Sequence, residues 1–91
     1  MSFYPRTIST IKERGERKHP NLIKLGKHIR SLRQAKGYSQ EGFAAEVGID
    51  RSYIGSIERG ERNIATLNLI KIAKALNVEV CKLFPPTNKL T

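Results

Sequence analysis

Arg51, Ser52, Tyr53, Ser56 and Arg59 fall within one short stretch, DRSYIGSIER, and each can donate hydrogen bonds. An arginine fork can donate two parallel bonds, the pattern that guanine O6 and N7 accept. A serine hydroxyl can donate or accept at a base edge or a phosphate. A tyrosine can do the same, or stack. At about 100° per helical residue, Ser52, Tyr53, Ser56 and Arg59 share one broad face, with Arg51 at its edge. Ile54 and Ile57 turn away from most of that face and are assigned to the core. Arg51 is thus the leading candidate for contact with a base, with Ser52, Tyr53 and Ser56 beside it. Plainer roles compete: a phosphate contact for Arg51, helix-start chemistry for Ser52, packing against the preceding helix for Tyr53.

Such a face needs a helix held rigidly from behind. Apolar residues fall at Phe43, Ala44, Val47, Ile49, Ile54 and Ile57, with Gly48 between two helical periods. Two short helices crossing over a tight turn are written this way, and the second helix of that unit enters the DNA major groove. Ser39 is positioned to cap the first, which runs to about Val47; Gly42 stands where a capping box would want Glu. Gly48 suits a left-handed turn residue. Asp50 caps the second, which ends near Arg59 with Gly60 as its stop. Gly55 inside it costs about 1 kcal/mol relative to Ala, and either close approach or a tolerated defect accounts for it.

Around this unit the periodicity predicts three more helices. Leu22, Leu25, Ile29 and Leu32 make one stripe, from an Asn21 cap to a Gly37 terminator. Thr66 opens another, with Leu67, Ile70, Ala73 and Leu76 facing inward and Asn77 closing it. Val80, Leu83 and Phe84 suggest a short fifth helix, stopped by Pro85-Pro86. Residues 1–20 read as a basic arm broken by Pro5, Gly15 and Pro20, in which Ile8 and Ile11 allow one amphipathic turn. Residues 21–86 read as one domain and 87–91 as a flexible tail. The expected fold is all-α: five helices after a basic N-terminal arm.

Seventeen Lys and Arg oppose eight Asp and Glu, a formal charge of +9 over 91 residues. That balance favours a polyanionic partner but does not choose among DNA, RNA and an anionic membrane surface. No apolar run approaches the roughly 18–20 residues of a membrane span, and no signal core opens the chain. Cys81 is the lone cysteine and is expected as a small core residue. A cytoplasmic, reducing compartment fits one thiol. His19 and His28 have no cysteine or carboxylate in ligand spacing, so neither metal nor cofactor is expected. Without a Ser/His/Asp pattern or a Gly-rich phosphate loop, the chain is not expected to be an enzyme.

Residues 22–84 resemble the lambda-repressor/Cro-like (Xre-type) helix-turn-helix family, on LRQAKGYSQEGFAAEVGIDRSYIGSIERGERN followed by TLNLIKIAKALNV. Within it, DRSYIGSIERGERN is most similar to the controller proteins of bacterial restriction-modification systems. Gly55-Ser56 stands where those carry Ser-Gly, and the arm is longer than is usual. The resemblance implies a five-helix DNA-binding domain that reads a palindromic operator on double-stranded DNA as a homodimer. It also implies activation at low occupancy and repression at higher occupancy. It places Gln40 on a phosphate, bracing a reading-helix side chain, and Arg62 and Asn63 on the backbone as well. Ser39, Arg59 and Arg33 are further phosphate candidates, although for Arg33 a solvated helix face is the stronger reading. Glu58 is expected to pair with Arg59 or Arg62, or with nearby backbone. Glu41 and Glu46 could touch RNA polymerase. Leu69, Val78, Val80, Leu83 and Phe84 are the candidate dimer interface. The rivals are a phage-type or antitoxin repressor of the same fold and, in a different class, a basic RNA-binding or adaptor protein.

Overall fold

The computed structural model describes residues 18–91. The arm's expected features at Phe3, Tyr4, Arg6, Ile8, Ile11 and Arg14 lie outside them. Four α-helices follow: α1 (Pro20–Ala35), α2 (Gln40–Val47), α3 (Arg51–Glu58) and α4 (Thr66–Leu76). Two 3-10 turns close the chain: η1 (Val80–Leu83) and η2 (Thr87–Lys89). The expected fifth helix is therefore a single tight turn, too short to complete an α-helical ladder before Pro85.

Helix starts are set by hydrogen bonds that the sequence partly disclosed. Ser39 Oγ accepts from the Gly42 N–H at 2.9 Å, and Asp50 Oδ2 accepts from the Ser52 N–H at 2.9 Å, both as expected. The other two starts differ. His19, not Asn21, caps α1: its Nδ1 accepts from the Asn21 N–H at 3.0 Å, and Pro20 occupies the first helical position. Proline suits that position because the missing N–H would have had no helical acceptor. Thr66 lies inside α4, and Ala65 caps it with no side-chain bond.

Gly48, with φ of 82°, makes the turn between α2 and α3, and its N–H reaches the Ala44 carbonyl at 2.9 Å. A left-handed residue here reverses the chain within one or two positions, which a side chain would strain. Asn77 closes α4 in the same conformation, at φ 57°.

The core gathers Leu25, Ile29, Phe43, Ala44, Ile54, Ile57, Ile64, Ile72, Ala73, Leu76 and Leu83. In α4 the inward line is Ile72, Ala73 and Leu76, flanked by half-buried Leu69. Leu67, expected inside, is 72% exposed. Two apolar lines overlap on this helix, whose sequence is TLNLIKIAKAL, and packing against α2 and η1 selects between them. Cys81 is exposed rather than buried, because the tight turn spends its inward position on Leu83.

Helix α1 packs against α3 backbone to backbone. A Cβ at Gly26 would run into the carbonyl oxygens of Ile57 and Glu58. The tail, expected to be loose, forms η2 along α1. Lys24 Nζ donates to the Lys89 carbonyl at 2.6 Å, and the Thr91 N–H donates to Asn21 Oδ1 at 2.8 Å.

Candidate nucleic-acid interface

Helix α3 is held from behind by Ile54 and Ile57, both essentially inaccessible. Its first turn projects outward. Arg51 and Ser52 are exposed and Tyr53 is half-buried. The Arg51 guanidinium makes no hydrogen bond or ion pair among the described residues, so its fork is available. Asp50, at the cap, also takes a hydrogen bond from the Ser52 hydroxyl. That bond, with the Ser52 N–H, holds the Asp50 carboxyl below the usual carboxylate range and keeps it charged at the positive end of α3.

Ser56 does not reach the surface, contrary to the expectation of base contact. It is buried; its Oγ donates to the Tyr53 carbonyl at 2.7 Å and accepts from Arg62 Nε at 3.3 Å. A helical serine that bonds back one turn has no hydroxyl proton to offer a ligand.

Arg33 corrects a second expectation. It is 6% exposed and spends its guanidinium internally, so it cannot serve as a phosphate contact. Nε and Nη2 donate to the two carboxylate oxygens of Glu58 at 2.7 and 3.0 Å, and Nη1 donates to the Tyr38 carbonyl at 2.8 Å. Glu58 therefore pairs with Arg33, not with Arg59 or Arg62. The two residues stand 25 positions apart, outside any local helical pairing rule, so no pattern in the sequence joins them. Gln40 Nε2 donates to Glu58 Oε1 at 3.1 Å, tying the start of α2 to the end of α3. A Cβ at Gly55 would lie 3.1 Å from Arg59 Nη1 and at an ordinary contact distance, 3.4 Å, from Gln40 Oε1. The tighter of these contacts is with the flexible end of a side chain at the helix's own C-cap, so close approach to α2 does not by itself require glycine here.

The remaining phosphate candidates surround α3. Ser39 is exposed, with Oγ engaged in the cap. Arg59 forks onto Glu61, Nε to Oε2 at 3.0 Å and Nη2 to Oε1 at 3.1 Å, and this partner raises its pKa. Arg62 places its guanidinium carbon 5.3 Å from the centre of the Tyr53 ring, a cation–π contact. Asn63 is exposed in the following loop. One contact escaped sequence reasoning altogether: Asn68 Nδ2, from α4, lies 3.2 Å from Tyr53 Oη.

Of the dimer candidates, Leu83 is fully buried in the core and is not available to a partner. Val80 and Phe84 are exposed at 39% and 38%, and Leu69 and Val78 are half-buried.

A capped helix start exposed over a left-handed turn, braced from behind, defines a helix-turn-helix transcription regulator. The family model described as helix-turn-helix matches residues 29–83, and the chain belongs to that family, in its lambda-repressor/Cro-like (Xre-type) branch. The control protein C.MunI of a Mycoplasma species is 41% identical over 68 residues, 74% of this chain and 92% of that protein. The restriction-modification controller protein C.AhdI from Aeromonas hydrophila superposes with a TM-score of 0.71 at 48% identity, over 72% of this chain and all of that one. SinR, the master regulator for biofilm formation, solved in complex with DNA, matches with a TM-score of 0.63 at 37% identity, over 65% of this chain and 95% of that one. No helix among the described residues is long and apolar enough to cross a membrane.

Proposed function

We propose that this protein is the controller of a restriction-modification system, a cytoplasmic homodimer that binds a (pseudo)palindromic operator. The observation that carries this is the Arg51 fork at the exposed start of α3, which has no hydrogen bond or ion pair among the described residues. Its likeness to C.MunI and C.AhdI supports the controller role. Arg51 reads a guanine, with Ser52 and Tyr53 beside it. Ser39, Gln40, Arg59, Arg62 and Asn63 hold phosphates around that contact. One α3 spans too few base pairs to single out a site, so two copies about 34 Å apart read one DNA face. Leu69, Val78, Val80 and Phe84 supply the apolar patch for pairing. Occupancy then rises steeply with concentration, which suits activation at low occupancy and repression at higher. Glu41 and Glu46 are exposed on α2 and available to RNA polymerase.

Selection of bound duplexes from random DNA tests this. A two-fold symmetric consensus is expected, bound at least about 10³-fold more tightly than scrambled duplex at physiological salt. Equal binding to all duplexes, or preference for RNA, would leave the chain a basic adaptor instead. A consensus that lies beside an integrase or toxin gene, with no methyltransferase, would move it to the phage-type or antitoxin repressors.

A further inference from the structure

Tyr53 sits at the outer edge of α3, half-buried, with Arg62 across one face of its ring. Asn68, in the first turn of α4, is also half-buried and donates Nδ2–H to the phenol oxygen. No other polar partner of that oxygen lies among the described residues. A phenol has one proton. When its oxygen accepts from an amide on one side, the proton is directed elsewhere, and no acceptor among the described residues takes it.

We infer that Asn68 is a positioning residue: it fixes the polarity of the Tyr53 hydroxyl, so that tyrosine enters the DNA interface as a hydrogen-bond donor. This rests on the reading of α3 as the DNA-contacting helix. The chemistry is complementary. The duplex surface is rich in acceptors: phosphate oxygens, guanine O6 and N7, adenine N7 and thymine O4. An outward lone pair would meet most of these with repulsion. Arg62 reinforces the arrangement from the side: it lies over the ring and also donates to Ser56 Oγ, whose own proton is spent on the Tyr53 carbonyl. The tyrosine is therefore held at three places: ring face, backbone and hydroxyl. Asn68 itself need not touch DNA. Nothing in the local sequence joins it to Tyr53, which lies 15 positions earlier.

A double-mutant cycle tests this, with affinities measured on a duplex taken from the random-DNA selection. Tyr53→Phe keeps the ring and its Arg62 contact but removes the hydroxyl. Asn68→Ala removes the orienting donor. Each is expected to weaken binding about three- to tenfold, and the double variant should bind no more weakly than Tyr53→Phe alone. A purely structural Asn68 would weaken binding equally in both backgrounds, and that result overturns the inference. Asn68→Asp, close to isosteric, offers only acceptors and draws the phenol proton inward. Binding at parental strength by that variant overturns it too. The pattern across duplex sequences names the acceptor, and either pattern supports the role. Relaxed preference at one base pair means a base edge; a uniform loss means a phosphate. If no duplex is preferred at all, the functional reading fails and this inference falls with it. If a preferred duplex exists and the cycle is additive, only the role of Asn68 is lost.

Discussion

Two arginine–glutamate forks flank α3, and their bond lengths are nearly equal. Arg33–Glu58 lies beneath the helix, with side chains 8% and 4% exposed; Arg59–Glu61 lies beyond its end, at 58% and 27%. The first is enclosed by α1, α2 and α3 and shares its carboxylate with Gln40. The second sits in water, with Lys18 Nζ also 3.7 Å from Glu61. Low dielectric and a full set of hydrogen bonds make the buried fork costly to break from one side. Solvent screening makes the exposed one worth little and easy to exchange. The same two residue types thus provide a fixed brace in one place and, in the other, an exposed pair whose guanidinium is the proposed phosphate contact. The proposed interface draws on both, a helix that does not move and cations that can.

Removing one partner from each fork should separate them most widely. Glu58→Ala strands Arg33 in the interior and should destabilise the fold by about 3–5 kcal/mol in urea unfolding. A matched change to Arg33→Met with Glu58→Leu should recover much of that loss. If Glu58→Ala unfolds at parental urea concentrations, the buried fork is not the brace described. Arg51→Ala acts on the other side of the helix. It should leave the urea midpoint unchanged while discrimination between consensus and mismatched duplex falls by about 1–3 kcal/mol in gel-shift titrations. Gly48→Ala, placed between the two regions, should cost about 1 kcal/mol of stability through its left-handed backbone, measured by the same unfolding. Glu61→Ala should change stability by less than about 1 kcal/mol, and less still in high salt. A loss as large as that from Glu58→Ala would erase the contrast.

The smallest effect is a matter of pH. The Asp50 carboxyl is lowered in the folded state by its Ser52 bonds. Its contribution to stability is therefore present above the unfolded value, near 4, and is lost as pH falls through the lower folded one. The melting temperatures of parent and Asp50→Ala should converge as pH falls below about 4. A gap that stays constant from neutral pH through that range would assign the cap no charge-dependent share.

Much of this molecule was legible before folding because its signals are local. The Ser39 and Asp50 caps, the Gly48 turn, the Asn77 stop and the isoleucines behind α3 each depend on neighbours within a few residues. The α1 start was misplaced because proline before a helix and proline opening one look alike until a cap is seen at His19. In the α4 stripe Ala73 and Leu76 are buried as expected, but Ile72 rather than Leu67 completes it, because the helix carries more than one plausible inward line. Ser56 reads as a base contact, and Arg33 as a solvated residue or a phosphate contact, because charge and hydroxyl are visible in sequence and burial is not.

The sequence by itself determined the four α-helices to within a few residues, where the chain turns, and which short helix carries exposed donors at its start. These follow from side-chain size, capping chemistry and backbone handedness, which act over a few residues. Tertiary structure alone decided that Arg33 is enclosed with Glu58, that Ser56 is buried, that Leu83 belongs to the core, and that Asn68 reaches Tyr53. Those outcomes depend on helices meeting across long stretches of chain, where packing and exclusion of water assign each polar group its partner.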